Sequence, residues 1–356
     1  MRYLASLVLI ACAVLGLPAS SSAAIAYLTT TGGTAAGNPI WVAADDGSDA
    51  RALGVRGAGV AISPDGTRVA FLRNPYGARP TLVILTIATS SRIETSAATP
   101  LMAYPEPAWS PDSTRLLMGT QSATADGFVT GNGLVEVDAA TGVVTTIVRA
   151  RGNAVGSFTW SPSGTQLAYD LERFAAMYGA RIMVANADGS SPASLGSGQN
   201  PVWGPSLIAL QRFTRARWRG MTLYHAQVWT VDPLRGAASA RQLTRFTGAQ
   251  LLSGPYASQW SPDGRTLIGT IGGDDVIQPI RIAVPGGRIR YLRDERGALI
   301  DDTLPVAVSA DGASLLVNAG VIAGAARFTV VPTAGGRGRR FLAGALAVSV
   351  TPTWQP

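Results

Sequence analysis

Ala61-Ile-Ser-Pro-Asp-Gly-Thr-Arg-Val-Ala-Phe71 is met again as Ala108-Trp-Ser-Pro-Asp-Ser-Thr-Arg-Leu-Leu117 and as Thr159-Trp-Ser-Pro-Ser-Gly-Thr-Gln-Leu-Ala-Tyr169. Four further copies are Val202-Trp-Gly-Pro-Ser-Leu-Ile-Ala209, Gln259-Trp-Ser-Pro-Asp-Gly-Arg-Thr-Leu-Ile268, Val308-Ser-Ala-Asp-Gly-Ala-Ser-Leu-Leu316 and a truncated Thr353-Trp-Gln-Pro356. The position usually taken by proline falls at 64, 111, 162, 205, 262, 310 and 356, at intervals of 47, 51, 43, 57, 48 and 46 residues. In each copy an apolar strand ends at the Trp position, Pro-Asp-Gly makes a tight turn, and alternating apolar residues begin the next strand. Pro presets φ, Asp bonds its own backbone two residues on, and Gly takes the left-handed position that closes the turn.

About twenty residues after each phrase comes a second apolar strand, such as Ile40-Trp-Val42, Leu134-Val-Glu-Val137, Ile182-Met-Val184, Val228-Trp-Thr-Val231 or Phe328-Thr-Val-Val331. Repeats of this length, each made of several short strands, predict the blades of a propeller, because one small sheet cannot bury both faces alone. Trp109, Trp160, Trp203, Trp260 and Trp354 share one repeat position, and Trp41 and Trp229 share another; the expectation is packing between blades. The segment from Ala24 reads like the strand after a Trp-Ser-Pro turn, and Pro352–Pro356 like the strand before one. The two ends are therefore expected to complete one blade jointly and leave no open edge. The expected fold is all-β, a single propeller of four-stranded blades, seven by repeat count with six as the alternative.

The phrase resembles the repeats of the TolB-like propellers of exported bacterial proteins, and the propeller that precedes the catalytic domain in prolyl oligopeptidases. The resemblance covers nearly the whole chain after the N-terminus and implies fold more than function. TolB-type propellers commonly have six blades, and residues 25 onward are expected to enter the propeller directly, where TolB would place its N-terminal domain.

Residues 1–24 read as a secretory signal peptide: Met1 and Arg2, an apolar run from Tyr3 to Leu17, then Pro18 and small residues up to Ala24. The run is short of the roughly 20 apolar residues that span a bilayer. Residues 25–356 are the expected propeller, exported to the periplasm or outside the cell. The single cysteine, Cys12, lies in Leu9-Ile10-Ala11-Cys12, similar to a lipobox; membrane attachment would follow were it lipidated, and after an ordinary cleavage the chain has no thiol. All the cationic residues are arginine, and the net charge of +7 favours anionic partners.

Hydrolase chemistry of the prolyl oligopeptidase kind needs a Gly-x-Ser-x-Gly elbow and a His base. The sequence has no such elbow and one histidine, His225, so the chain reads as not an enzyme, with no cofactor expected. Asp45-Asp46, Asp274-Asp275 and Asp301-Asp302 offer hard oxygen ligands for Ca²⁺, but none has EF-hand spacing. The longest interval holds Phe213-Thr-Arg-Ala-Arg-Trp-Arg-Gly-Met-Thr-Leu-Tyr-His225. Here Arg212, Arg215, Arg217, Trp218, Arg219, Tyr224 and His225 form the candidate binding set, guanidinium groups for bidentate contact with anions and rings for contact area. The alternation Arg215, Arg217, Arg219 equally suits the wet face of an elongated hairpin. Arg337-Gly-Arg-Arg340 is a second basic run, in a Gly-rich turn. No nucleic-acid recognition motif is present.

These features together predict a non-catalytic exported scaffold, monomeric, that binds an envelope or extracellular protein or peptide of anionic character. The alternative is a lactonase-like propeller that binds a small ligand with a metal at its channel mouth.

Overall fold

The recurring phrase folds into one hydrogen-bond motif. In the first copy Ser63 Oγ donates to Asp65 Oδ1 at 2.5 Å, Asp65 Oδ1 accepts the Thr67 N–H at 3.0 Å, and Ser63 Oγ accepts the Arg68 N–H at 2.9 Å. The same three contacts recur at Ser110, Asp112, Thr114 and Arg115, at Ser261, Asp263, Arg265 and Thr266, and at Ser309, Asp311, Ala313 and Ser314. Ser163 substitutes for the aspartate in the third copy. The left-handed position is filled by Gly66, Gly164, Gly264 and Gly312, and by Ser113 at φ 62°. The Ser110 hydroxyl, with Thr114, holds the Asp112 carboxyl down to about 2.

The computed structural model describes residues 23–29, 37–75, 79–102, 105–123, 129–173, 179–247, 254–273, 276–293, 303–319, 327–334, 338–341 and 345–350. Residues 1–22 with Cys12, the Asp274-Asp275 and Asp301-Asp302 pairs, Arg337 and Trp354 lie outside them.

The first strands are β1 (Ile25–Thr29), β2 (Asn38–Ala43), β3 (Arg51–Ile62), β4 (Arg68–Arg73), β5 (Thr81–Thr86) and β6 (Arg92–Thr95). Then come β7 (Ala108–Trp109), β8 (Arg115–Ala123), β9 (Val129–Asp138) and β10 (Val144–Arg149), followed by β11 (Asn153–Trp160), β12 (Gln166–Arg173), β13 (Arg181–Asn186) and β14 (Ala193–Ser197). Next are β15 (Gln199–Trp203), β16 (Ile208–Trp218), β17 (Met221–Val231) and β18 (Arg241–Gln242), with a single 3-10 turn at Ala237–Ser239. The chain continues as β19 (Gly254–Trp260), β20 (Thr266–Gly273), β21 (Val276–Ala283) and β22 (Ile289–Tyr291), then β23 (Thr303–Val308), β24 (Ser314–Ala319), β25 (Arg327–Pro332) and β26 (Arg339–Arg340). Finally β27 (Ala345–Val350) returns to pair antiparallel with β1, Ile25 opposite Val350.

By hydrogen-bonded sheets the count is six, the lower of the two expected, rather than seven separate blades. Five sheets have four strands each, and the sixth has seven in the order β27-β1-β2-β3-β4-β5-β6. The physical reason is β3. Its first half pairs with β2, Trp41 opposite Ala52, and its second half with β4, Ile62 opposite Val69, so the outer strand of one repeat runs unbroken into the inner strand of the next. Gly57 sits where the partner changes, and a Cβ there would fall 2.4 Å from the Phe71 ring and 2.6 Å from the Leu72 carbonyl. Divided at that point, the large sheet holds two sets of four strands.

The inner strands β3, β7, β11, β15, β19, β23 and β27 approach one another in a closed cycle around the axis. Neighbouring sets of strands are joined by buried apolar layers, for example Ala61, Ala70 and Ile84 against Trp109, Leu116 and Met118, or Ala168 and Ile182 against Ile208 and Leu210. Leu316, Phe328 and Val330 pack on Ile25 and Tyr27 across the closing seam. The tryptophans staple these layers. Trp109 Nε1 donates to the Ala61 carbonyl at 3.1 Å, Trp160 Nε1 to Ala108 at 2.9 Å and Trp260 Nε1 to Val202 at 2.9 Å, each bond crossing to the preceding blade. Arg68 and Arg115 lie over the Trp109 and Trp160 rings at 5.2 and 4.7 Å. Gly204 replaces the serine of the phrase because any Cβ there would meet the Trp260 ring at 2.5 Å.

Candidate functional site

The candidate set lies on the β16–β17 hairpin, which the sequence builds from two alternating strands and a tight two-residue turn. Arg219 (φ 47°) and Gly220 (φ 81°) are both left-handed, as a type I′ turn requires. Pairing continues without a break from Ile208 opposite Val231 to Trp218 opposite Met221. On the flanks, β15 pairs no further out than Gln211 and β18 no further than Trp229. From Arg212 opposite Gln227 outward, no strand pairs with either edge of the hairpin among the described residues. Gln227, Ala226 and His225 are still buried at its base, where Gln227 Oε1 accepts from the Thr244 hydroxyl and the Phe246 N–H, and the two-stranded ribbon projects beyond them.

Alternation divides the candidates between the two faces of this ribbon. Arg215 stands opposite Tyr224 and Arg217 opposite Thr222 on one face; all four are exposed, as are Arg219 and Gly220 in the turn. Thr214 and His225 face the other way, and His225 is buried, with Nε2 3.0 Å from the Thr214 hydroxyl. Arg212 shares that second face at the base of the ribbon, lies 4.5 Å over the Trp229 ring, and donates to the Ser197 carbonyl at 2.7 Å and the Leu195 carbonyl at 3.4 Å. The structure thus brings Arg215, Arg217, Arg219 and Tyr224 to the projecting end and gives Arg212 and His225 packing roles near the sheet. Trp218 is the last paired residue of β16.

His225 Nδ1 is buried with no hydrogen-bond partner among the described residues, and burial lowers its pKa below the ordinary 6.5. A depressed histidine stabilises the fold fully above its unfolded value and loses that contribution as pH falls toward the folded one. The ribbon's stability is expected to fall on moving from about pH 7.5 to about pH 5.5. His225→Gln should flatten that dependence in paired thermal melts; an unchanged drop would place the titrating group elsewhere.

A second constellation, which sequence reasoning does not single out, lies near the axis. Asp170 on β12 is 1% exposed. Its oxygens accept the Gly156 N–H (2.9 Å), the Ser157 N–H (2.9 Å), the Ser157 hydroxyl (2.5 Å) and the Asn200 N–H (2.9 Å). Asn200 Nδ2 donates to Gln211 Oε1 at 2.6 Å, and Gln211 Nε2 to the Pro255 carbonyl at 2.9 Å, so the chain of bonds links three successive inner strands, meeting the first two, β11 and β15, at their bulges. Aligned on the phrase, the fourth position of the second strand reads Leu72, Gly119, Asp170, Gln211, Thr270 and Asn318, a change from non-polar to polar that is the one signal of this network in the sequence. Nearby Glu172 has its carboxyl pushed up by burial and by Asp170.

Of the acidic pairs, Asp45 and Asp46 fall in the turn after β2, where Asp46 accepts the Ser48 N–H. Among the described residues no three His, Cys, Asp or Glu side chains are grouped so as to hold a metal. In the second basic run, Arg339 and Arg340 are exposed on the short edge strand β26, with Arg339 5.5 Å over the Phe341 ring.

No family model matches the chain, and no curated protein matches it. Solved structures do. A prolyl endopeptidase superposes with a TM-score of 0.58 at 13% identity, over 93% of this chain and 51% of its own. The fold is a β-propeller. An oligogalacturonate lyase in complex with manganese is similar over 79% of this propeller and 75% of its own chain, TM-score 0.58 at 14% identity. TolB from Acinetobacter baumannii is 18% identical, TM-score 0.45, over 78% of this chain and 65% of TolB. The chain thus spans under two thirds of TolB and about half of the endopeptidase. At these identities the similarity establishes fold, and the relatives include both TolB and enzymes.

Proposed function

We propose that this TolB-like propeller is a non-catalytic binding scaffold, exported by its N-terminal segment, that presents the β16–β17 ribbon to an envelope or extracellular protein or peptide rich in carboxylates. The observation that carries this reading is the ribbon itself. It extends past both neighbouring strands and exposes Arg215, Arg217, Arg219 and Tyr224, the last at 51% of its surface, at its far end. Guanidinium groups two residues apart on one face match carboxylates spaced along an extended partner, and a tyrosine adds contact area at low entropic cost. The competing small-ligand reading needs carboxylates that converge on an open cation site. Asp170 is instead saturated by four donors, and Glu172 beside it is biased toward its protonated form.

Cross-linked affinity capture from the cell envelope tests the proposal, with the native protein run beside Arg215→Ser/Arg217→Ser/Arg219→Ser. One protein recovered by the native chain and lost from the variant, with unchanged melting of the variant, is the expected result. Equal recovery by both would remove the ribbon from the interface.

A further inference from the structure

Position by position, the third strand of each blade can be compared with its counterparts, since all are registered against the phrase. The residue opposite Ala70, Leu117, Ala168, Ala209, Ile268 and Leu316 is Ile84, Glu136, Val184, Thr230, Arg281 and Val330 in turn. Most are uncharged, and Glu136 is paired with Arg115 at 3.2 Å. Arg281 departs from this pattern, with no carboxylate paired to it among the described residues. Directly across from it on β22 stands Arg290, two like charges face to face, an arrangement that destabilises a sheet unless something sits between them.

Around this pair the surface is concave. A cleft of about 380 Å³ is bounded by Arg281, Arg290, Tyr291, Leu292, Arg293 and by Ala334 of the next blade, and an adjoining recess of about 190 Å³ adds Thr266 and Arg288. Arg281 is half-buried, and its Nε has no hydrogen-bond partner among the described residues. Neither it nor Arg288 nor Arg290 makes an ion pair among the described residues, whereas four other arginines do. Burial and the neighbouring Arg290 both disfavour the Arg281 charge, the opposite of what a guanidinium with its own carboxylate would experience.

We infer that the cleft between the β19–β22 blade and the following one is a binding site for a phosphate-type oxyanion, held between Arg281 and Arg290 with Arg288 at its rim. A dianion with several oxygens satisfies two guanidinium forks at once and cancels their repulsion. This site is separate from the ribbon and does not depend on the scaffold reading.

The test uses the full-length protein and two variants that restore residues the repeat itself uses, Arg281→Val and Arg290→Thr. Inorganic phosphate is titrated calorimetrically at fixed ionic strength, against chloride. Because phosphate stabilises many proteins by exclusion from their surface, direct binding and the difference between native and variant are the readouts. The native chain is expected to bind one phosphate, and each variant to lose at least about tenfold in affinity, while melting no lower than the native protein in chloride. Sedimentation with phosphatidylcholine vesicles carrying phosphatidic acid separates the two sources. Phosphate-displaceable co-sedimentation assigns a lipid monoester, and its absence alongside solution binding assigns a soluble phosphate. If the native protein binds neither probe, or Arg281→Val and Arg290→Thr both bind as the native does, the inference is overturned.

Discussion

Asp170→Ala is expected to cost about 3–5 kcal/mol of folding stability, a loss on the scale of breaking a buried charge network. The side chain is buried and meets four donors, two backbone N–H groups of β11, the Ser157 hydroxyl and the Asn200 N–H of the next blade. Truncation leaves the three backbone N–H groups without this acceptor and the Ser157 hydroxyl with only a long contact to Asn200 Oδ1 at 3.4 Å, and each buried donor so orphaned costs about 1–3 kcal/mol before any relief by water. It also frees Asn200, which holds a left-handed φ of 52° and orients Gln211. Asp170→Asn is the informative companion: it keeps the volume but replaces one acceptor oxygen with a donor, so part of the loss should remain. Urea unfolding of the three proteins measures this. A loss under about 1 kcal/mol for the alanine variant would mean that water replaces the carboxylate and that the network does not bind the blades together.

Trp160→Ala is expected to be of comparable severity, about 3–5 kcal/mol. The ring is 7% exposed and packs with Leu117, Leu134, Leu167 and Tyr169 in the layer between two sheets. Its Nε1 bonds the Ala108 carbonyl, and the Arg115 guanidinium sits over its face. Removing the ring leaves a cavity at a boundary where neither sheet can collapse without shifting the inner strands. Trp160→Phe separates the terms, retaining most of the apolar area while orphaning one carbonyl, for about 1 kcal/mol. Equal losses for Phe and Ala would show that the hydrogen bond, not the packing, governs the site.

The range of each interaction decides how far the sequence alone reveals it. The turn motif is local, running from Ser63 to Asp65 to Arg68 within six residues, so its chemistry is written in the phrase and the repeat exposes the blades. Closure through β1 and β27 is legible for the same reason, because each terminal segment carries one half of a recognisable unit. The ribbon announces itself as the longest interval, and the alternation of Arg215, Arg217 and Arg219 matches the exposed face. That His225 and Arg212 turn to the opposite face depends on the register, which needs the Arg219-Gly220 turn to be placed first. The Asp170 network is not legible as a unit. Asn200 and Gln211 lie in the following repeat, and the bulges of β11 and β15 bring the two repeats into reach. Nor does the phrase count show two repeats sharing one sheet, since that depends on β3 staying extended where a turn is expected.

Closure between Ile25 and Val350 gives the chain a clasp, and a clasp imposes an order of events. The contacts that complete the ring join residues from opposite ends of the sequence, so they carry the largest loop-closure entropy of any in the molecule and form after the blades they connect. Until β27 arrives, β1 presents a bare row of backbone donors and acceptors on an apolar strand, a template for pairing with another chain. The same edge that makes the finished ring seamless is thus the point at which an incomplete one is most open to misassembly, and a folding chain is safest when its first strand is shielded until its last has emerged.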